Sequence, residues 1–166
     1  MQVISVVPYD PNWPDFFQKE AVLIKEALGT NCIAIEHTGS TSVPGLPAKP
    51  IIDMIPIVRN ILEVDRCSKA MQALGYEIKG EHGMLFRRFF HKPTHNIHVY
   101  EEGHGEIERH INFRNWLRTH EEDKMRYANL KQELAKKFST DIVSYCTGKE
   151  DFVMSIDAKA GSHGTR

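Results

Sequence analysis

The sequence predicts an α+β protein: a mixed β-sheet with helices packed on one side, followed by C-terminal helices. Three observations carry this. Short apolar runs at 32–35, 50–58, 76–78, 85–91 and 95–101 have strand length and are punctuated by Gly and Pro. Between them, residues 14–28 and 61–74 place apolar side chains at helical spacing. After Gly103 and Gly105 the chain turns into a long charged stretch of helical character.

Taken in order, Val3–Val7 is a short edge strand or an extended arm, broken by Pro8-Tyr9-Asp10-Pro11. Asp10 caps a helix with Pro11 in its first turn, or the helix starts one turn later at Pro14. Phe17, Ala21, Ile24 and Leu28 then share one face, and Gly29 ends the helix. Cys32-Ile33-Ala34-Ile35 is a buried strand, whose alternation puts Ile33, Ile35 and His37 on one face and Cys32, Ala34 and Glu36 on the other. The strand over 50–58 should end or bulge near Pro56, which has no N–H for a central ladder. Gly75 closes the helix over 61–74. Leu85–His91 and His95–Glu101 form an antiparallel hairpin around Lys92-Pro93-Thr94.

The region 106–137 reads as two helices broken near Thr119-His120, with Thr119 and Glu122 fitting a capping box. Tyr127, Leu130, Leu134 and Phe138 mark the buried face of the second. Glu101–Lys137 holds eight acidic and eight basic residues, which describes a solvated, ion-paired surface. Asp141–Ser155 is a last helix. The reading is one domain over 1–157 with a disordered tail over 158–166.

With 166 residues, 41% hydrophobic and 26% charged, the chain has the profile of a single globular domain. A net charge of −1 provides no general electrostatic grip on nucleic acid, while a local basic pocket stays open. Cys32, Cys67 and Cys146 are far apart and form no CxxC pair, which suits a reducing cytoplasm. No signal peptide and no membrane-length apolar run is read.

The chemistry concentrates in residues 36–53, EHTGSTSVPGLPAKPIID. Gly39 after a strand lets backbone amides approach an anion, and Ser40, Thr41 and Ser42 add hydroxyl donors. The competing reading is a turn whose hydroxyls bond their own backbone. Asp53 lies between Ile52 and Met54 in an apolar strand, where a carboxylate needs a paired charge, a metal or N–H partners. Lys49 is four residues earlier. His98 shares a strand face with Asn96 and Tyr100, whereas His95 points the other way. His37, Asp53 and His98 form a candidate zinc or manganese set, or an acid–base group, if adjacent strands bring them together. His82, His91, His104, His110 and His120 are assigned to surface or hydrogen-bonding roles. Arg87 and Arg88 point to opposite faces of the hairpin, so one reaches the ligand side and the other is structural.

These residues resemble a known pattern. A strand ending in Gly-Ser, followed ten to fifteen residues on by an apolar-flanked Asp, resembles the nucleotidyltransferase superfamily. EHTGSTSVPGLPAKPIID itself resembles the defining motif of the GrpB family. YDPNWPDFF, RRFF at 87–90, HNIHVYEEG at 95–103 and IERHINFRNWLR at 107–118 support that from about Val7 to Phe152. The resemblance implies a nucleotidyltransferase-like fold. In some relatives a similar domain is fused to a dephospho-CoA kinase domain, which implies nucleotide or coenzyme-A-related chemistry.

The resemblance and the residues together give the expected roles: Gly39, Ser40, Thr41 and Ser42 hold phosphate, and Lys49 with one of Arg87 or Arg88 neutralises charge. Asp53 binds a divalent cation (Mg or Mn) or serves as base, and His98 assists. Two-metal transferases use Asp-x-Asp, but here Ile55 stands in the second position. The function read from the sequence is therefore binding of a nucleotide or other phosphorylated small molecule, with nucleotidyl or phosphoryl transfer as its catalytic form. The alternative is a non-catalytic ligand-binding domain on a transferase scaffold. Lys149, in the last helix, resembles a position of the family pattern but is assigned to the surface.

Overall fold

The computed structural model describes residues 3–164, with side chains through residue 161. A five-stranded mixed sheet has the order β1-β2-β5-β4-β3, with β1 Cys32–Thr38, β2 Ile52–Val58, β3 Glu77–Gly80, β4 Arg88–Lys92 and β5 His95–Glu101. β1 and β2 are antiparallel, β2 and β5 parallel, and β5, β4 and β3 antiparallel. The arm at the start of the chain meets the sheet region through one bridge, Val7 to Ala48.

Helix α1, Trp13–Leu28, begins beside Pro14 and carries no side-chain cap. The Asp10 carboxylate accepts from the Asn12 N–H one turn earlier. α1 buries Trp13, Phe17, Ile24 and Leu28 against Ile52, Met54, Val58, Ile97 and Val99 on one face of the sheet. Residues 61–67 form a 3-10 segment that continues into α2, Ser68–Ala73, and add Ile61, Val64 and Met71 to the same core. Burying an apolar side chain of this size contributes about 1.5–3 kcal/mol, so this face is the main stabilising layer. Glu20 is buried in it. Burial alone raises its pKa, but hydrogen bonds from Lys92 and Tyr76 outweigh that and hold the carboxyl below its ordinary range.

The C-terminal helices α3 Gly105–Thr119, α4 Glu121–Lys137 and α5 Ile142–Gly164 build a second core. Val43 and Leu46, from the loop after β1, are packed there with Leu117, Tyr127, Ala128 and Ile156. The loop is thus part of a core. Its Pro and Gly residues shape the backbone, and its apolar side chains anchor it.

Several expectations change. β2 continues through Pro56 to Val58. The missing N–H is absorbed on the β5 side, where pairing passes from Met54↔Ile97 to Ile57↔Tyr100, and the irregularity falls instead in β1 between Cys32 and Ala34. That bulge turns Ile33 outward. β4 starts at Arg88, because residues 81–87 form a turn held by Glu81, whose carboxylate accepts from the Phe86 N–H at 2.7 Å. The Thr119 hydroxyl bonds back to Asn115 and Trp116 carbonyls within α3, so α4 starts without a capping box. α5 runs from Ile142 to Gly164, and the tail expected from residue 158 is helical over that span because Ile156 and Ala160 are buried. Residues 165–166 lie outside the described residues.

Candidate functional site

β1 ends where the candidate site begins. Gly39 has φ +70° and ψ −175°, a region open essentially to glycine alone. Its backbone lies against Asp53: a Cβ at Gly39 would be 2.5 Å from Asp53 Oδ2. Ser40–Ser42 then form one 3-10 turn. Within it the hydroxyls divide. Ser42 is buried and donates to the Gly39 carbonyl. Thr41 is buried and shares a 2.9 Å hydrogen bond with His37 Nε2. Ser40 remains half-exposed beside Asp53 and is within reach of the Tyr127 hydroxyl. Of the three, Ser40 and Thr41 line the cavity, Thr41 buried and Ser40 half-exposed.

The loop is fixed from α3 and α4. Arg118 Nε donates to the Ser42 carbonyl at 2.9 Å, and Lys124 Nζ to the Pro44 carbonyl at 3.2 Å. Arg114 donates to both the Glu36 carboxylate and the His37 carbonyl at 2.9 Å.

On the sheet, Asp53 pairs with Thr38 on one side and Asn96 on the other. His98 Nε2 lies 3.2 Å from Asp53 Oδ1. Arg87 Nη1 lies 3.5 Å from His98 Nδ1. A guanidinium only donates, so this order of contacts suits a neutral imidazole that accepts on Nδ1 and donates from Nε2 to Asp53. Phe89 stacks on His98 at 5.0 Å, and Arg87 lies over Phe89 at 5.0 Å. Arg88 points the other way and grips Asp65 at 2.8 and 3.3 Å. Arg87 is therefore the arginine on the site face, and Arg88 the structural one.

His37 is not brought to Asp53 and His98. It pairs in register with Met54, stacks on Phe17 of α1 at 4.8 Å, and so belongs to the opposite core. Burial, helped by Arg118 and opposed by Asp53, lowers its pKa to about 4. Among the described residues no group of three or more His, Cys, Asp or Glu is arranged to hold a metal. Ile55, in the second carboxylate position, is buried, and Asn96 Oδ1 is engaged by His91 at 2.7 Å. This donor set does not fit a pair of hard divalent cations, which want several carboxylate oxygens.

What surrounds Asp53 instead is positive. A cavity of about 200 Å³ is lined by Ser40, Lys49, Asp53 and Asn96 from the sheet side and by Lys131, Tyr145 and Lys149 from α4 and α5. Lys131 is 2% exposed, and its Nζ has no hydrogen-bond partner among the described residues. The buried Tyr145 hydroxyl has none either. Burial, reinforced by Lys149 and Lys49 and opposed by Asp53, lowers the Lys131 pKa to about 7. Lys149 is lowered by burial and then by Lys49. Burial raises Tyr145 to about 12. Lys49 and Lys149 both lie over the Tyr145 ring, at 5.2 and 4.8 Å. Lys149 is thus part of the cavity and not of the outer surface. Lys131 and Tyr145 were not legible as site residues. The available signal was a lysine four residues after Tyr127 and three before Leu134, on the face α4 buries.

No helix is long and apolar enough to cross a membrane among the described residues. A solved structure from Enterococcus faecalis, conserved protein GrpB, superposes with a TM-score of 0.91 and 40% identity, covering 94% of this chain and 96% of that one. A structure of Cid1 in complex with its short product ApU is similar at a TM-score of 0.52 and 13% identity, covering 81% of this chain and 42% of that one; that likeness concerns the fold alone. The UPF0157 protein YqkA of Bacillus subtilis is 40% identical over 161 residues, covering 95% of this chain and 47% of the relative. The chain thus spans about half of that relative's length. The family model described as GrpB protein matches residues 3–159, a span that contains every residue lining the cavity, and the chain belongs to the GrpB family.

Proposed function

We propose that the cavity beside Asp53 binds the phosphate groups of a nucleotide or other phosphorylated small molecule. One observation carries this reading. The buried Lys131 amine and the buried Tyr145 hydroxyl line the same small cavity, and among the described residues neither has a hydrogen-bond partner, the Lys131 Nζ resting only over the Tyr127 ring at 4.7 Å. Each such orphan costs about 1–3 kcal/mol or more until an acceptor fills the space. The acceptor that suits Lys131, Tyr145, Lys49, Lys149 and Ser40 together is a polyanion of phosphate size.

The catalytic form of the proposal is nucleotidyl or phosphoryl transfer. Asp53, oriented by His98, accepts the proton of an attacking hydroxyl. The lysines stabilise the charge gathering on the phosphoryl oxygens and on the leaving phosphate. Because the donor set does not suit paired cations, no step passes through a metal. The non-catalytic alternative, a ligand-binding domain on a transferase scaffold, is favoured by one specific feature, Ile55 in place of the second carboxylate.

A thermal-shift screen of nucleoside triphosphates, coenzyme A derivatives and tripolyphosphate, with and without Mg²⁺ or Mn²⁺, tests the binding reading. Stabilisation by at least one is expected; the absence of any shift rejects it. Asp53→Asn separates the two forms. Under the catalytic form it abolishes turnover of the stabilising ligand and keeps its affinity. Under the binding form wild type shows no turnover.

A further inference from the structure

We infer that the ligand is a phosphorylated molecule with an aliphatic extension, its phosphate in the lysine cavity and its chain in a neighbouring groove. This rests on the phosphate-binding reading above and adds to it the chemistry of the rest of the ligand. The groove has a volume of about 600 Å³ and shares Lys49 and Ile51 with the lysine cavity. Its other walls come from separate parts of the chain and are mostly apolar, with two hydroxyls: Val3, Ile4 and Ser5 of the arm, Pro93 of the β4–β5 turn, and Thr140 and Ile142 around the start of α5. The Ile4 N–H donates to the Ser139 carbonyl at 2.7 Å, which ties the arm to the α4–α5 turn at the groove's edge.

The lining selects the occupant. Lys49 is the charged residue of the groove, and it stands at the junction with the phosphate cavity. The apolar walls are aliphatic or proline, and the lining includes no aromatic ring. A nucleobase in a specific site is ordinarily held by stacking on an aromatic or guanidinium face, and this groove provides none. An alkyl chain needs only apolar wall and exclusion of water. Val3 is 65% exposed and Ile142 47% exposed, so the mouth of the groove keeps apolar surface in water that such a chain would cover. Placing the charge at one end and apolar walls along the other gives the ligand a fixed direction: phosphate inward past Lys49, chain outward between the arm and α5.

The test is calorimetric titration of wild type with inorganic phosphate and with n-alkyl phosphates from ethyl to hexyl. Fully buried methylenes raise affinity about fourfold each, and half-covered ones about twofold. We expect a rise of about two- to fourfold per methylene. In a Val3→Ser/Ile142→Ser variant that dependence should flatten, with affinity for inorganic phosphate unchanged. Both positions are exposed, so the fold tolerates the changes, and an unaltered phosphate affinity demonstrates it. Phosphate binding with affinity independent of chain length, or a chain-length dependence that survives in the variant, overturns the inference and leaves the phosphate reading standing. If neither inorganic phosphate nor any alkyl phosphate binds, the phosphate reading fails and the inference fails with it.

Discussion

Gly39 and Asp53 are packed so closely that neither accommodates a larger neighbour: a Cβ on Gly39 would stand 2.5 Å from Asp53 Oδ2 and 3.0 Å from its Cβ. The contact joins the end of β1 to the one carboxylate of the cavity. It explains why a Gly precedes the hydroxyl run, since the residue must both take φ +70° and leave room for Asp53.

Gly39→Ala should therefore destabilise the protein by about 2 kcal/mol or more, combining backbone strain and collision. Adding Asp53→Ala should return part of that loss, because the 2.5 Å collision with the carboxylate goes while the 3.0 Å approach to Cβ and the backbone strain stay. Denaturant unfolding of the two single variants and the double variant measures the coupling. Additive losses would show that the two residues do not press on each other.

His37 links the same loop to acid stability. Its pKa is about 4 folded, against 6.5 in the unfolded chain. Between those values the unfolded chain binds the extra proton. The contribution of His37 is thus complete above pH 6.5 and is lost as pH falls through 4, by up to about 3 kcal/mol. His37→Gln should flatten this part of the stability profile. Unfolding midpoints from pH 7 to pH 4 check it.

Much of this was legible from local pattern. The Gly-Ser turn, Asp53 in its apolar strand and His98 on the facing strand depend on neighbours in sequence or on simple alternation, and the structure brings Asp53 and His98 to 3.2 Å. The five strands followed for the same reason. His37 was misplaced beside them because alternation within β1 alone does not say which face of β2 it matches; the register, His37 against Met54, decides that. Lys131, Tyr145 and Lys149 were missed because their place depends on how α4 and α5 cross the loop. The buried stripe of α4 runs through Asp123, Tyr127, Lys131 and Leu134, with Leu130 only half-buried. A lysine reads as surface by composition, and its burial is a tertiary choice.

Lys131 lowers stability where it is charged. It titrates near 10.5 when unfolded and at about 7 when folded. The unfolded chain therefore holds the extra proton between these values. Stability rises with pH across that window and is lost as pH falls through 7. Lys131→Met should stabilise the ligand-free protein most below pH 7, by an amount on the order of a few kcal/mol, with the advantage shrinking toward pH 10. Urea unfolding at pH 6 and pH 9 distinguishes this from a uniform packing effect, which would give the same gain at both.

The helices that carry the lysines meet at Gly148. A Cβ there would lie 2.5 Å from Leu134 Cδ2, across the α4–α5 contact. Gly148→Val should cost about 1–3 kcal/mol through overpacking. Leu134→Ala in the same chain should recover part of it by opening space. Thermal unfolding of the single and double variants tests the contact, and no recovery would place the damage elsewhere.

A polyanion in the lysine cavity would draw on Lys131, and tripolyphosphate titrated into wild type and Lys131→Met at pH 6.5 checks this. Wild type should bind with heat and a raised melting temperature, and Lys131→Met, though more stable alone, should lose at least tenfold in affinity, about 1.4 kcal/mol. Equal affinity in the two proteins, or no binding to wild type, would contradict it.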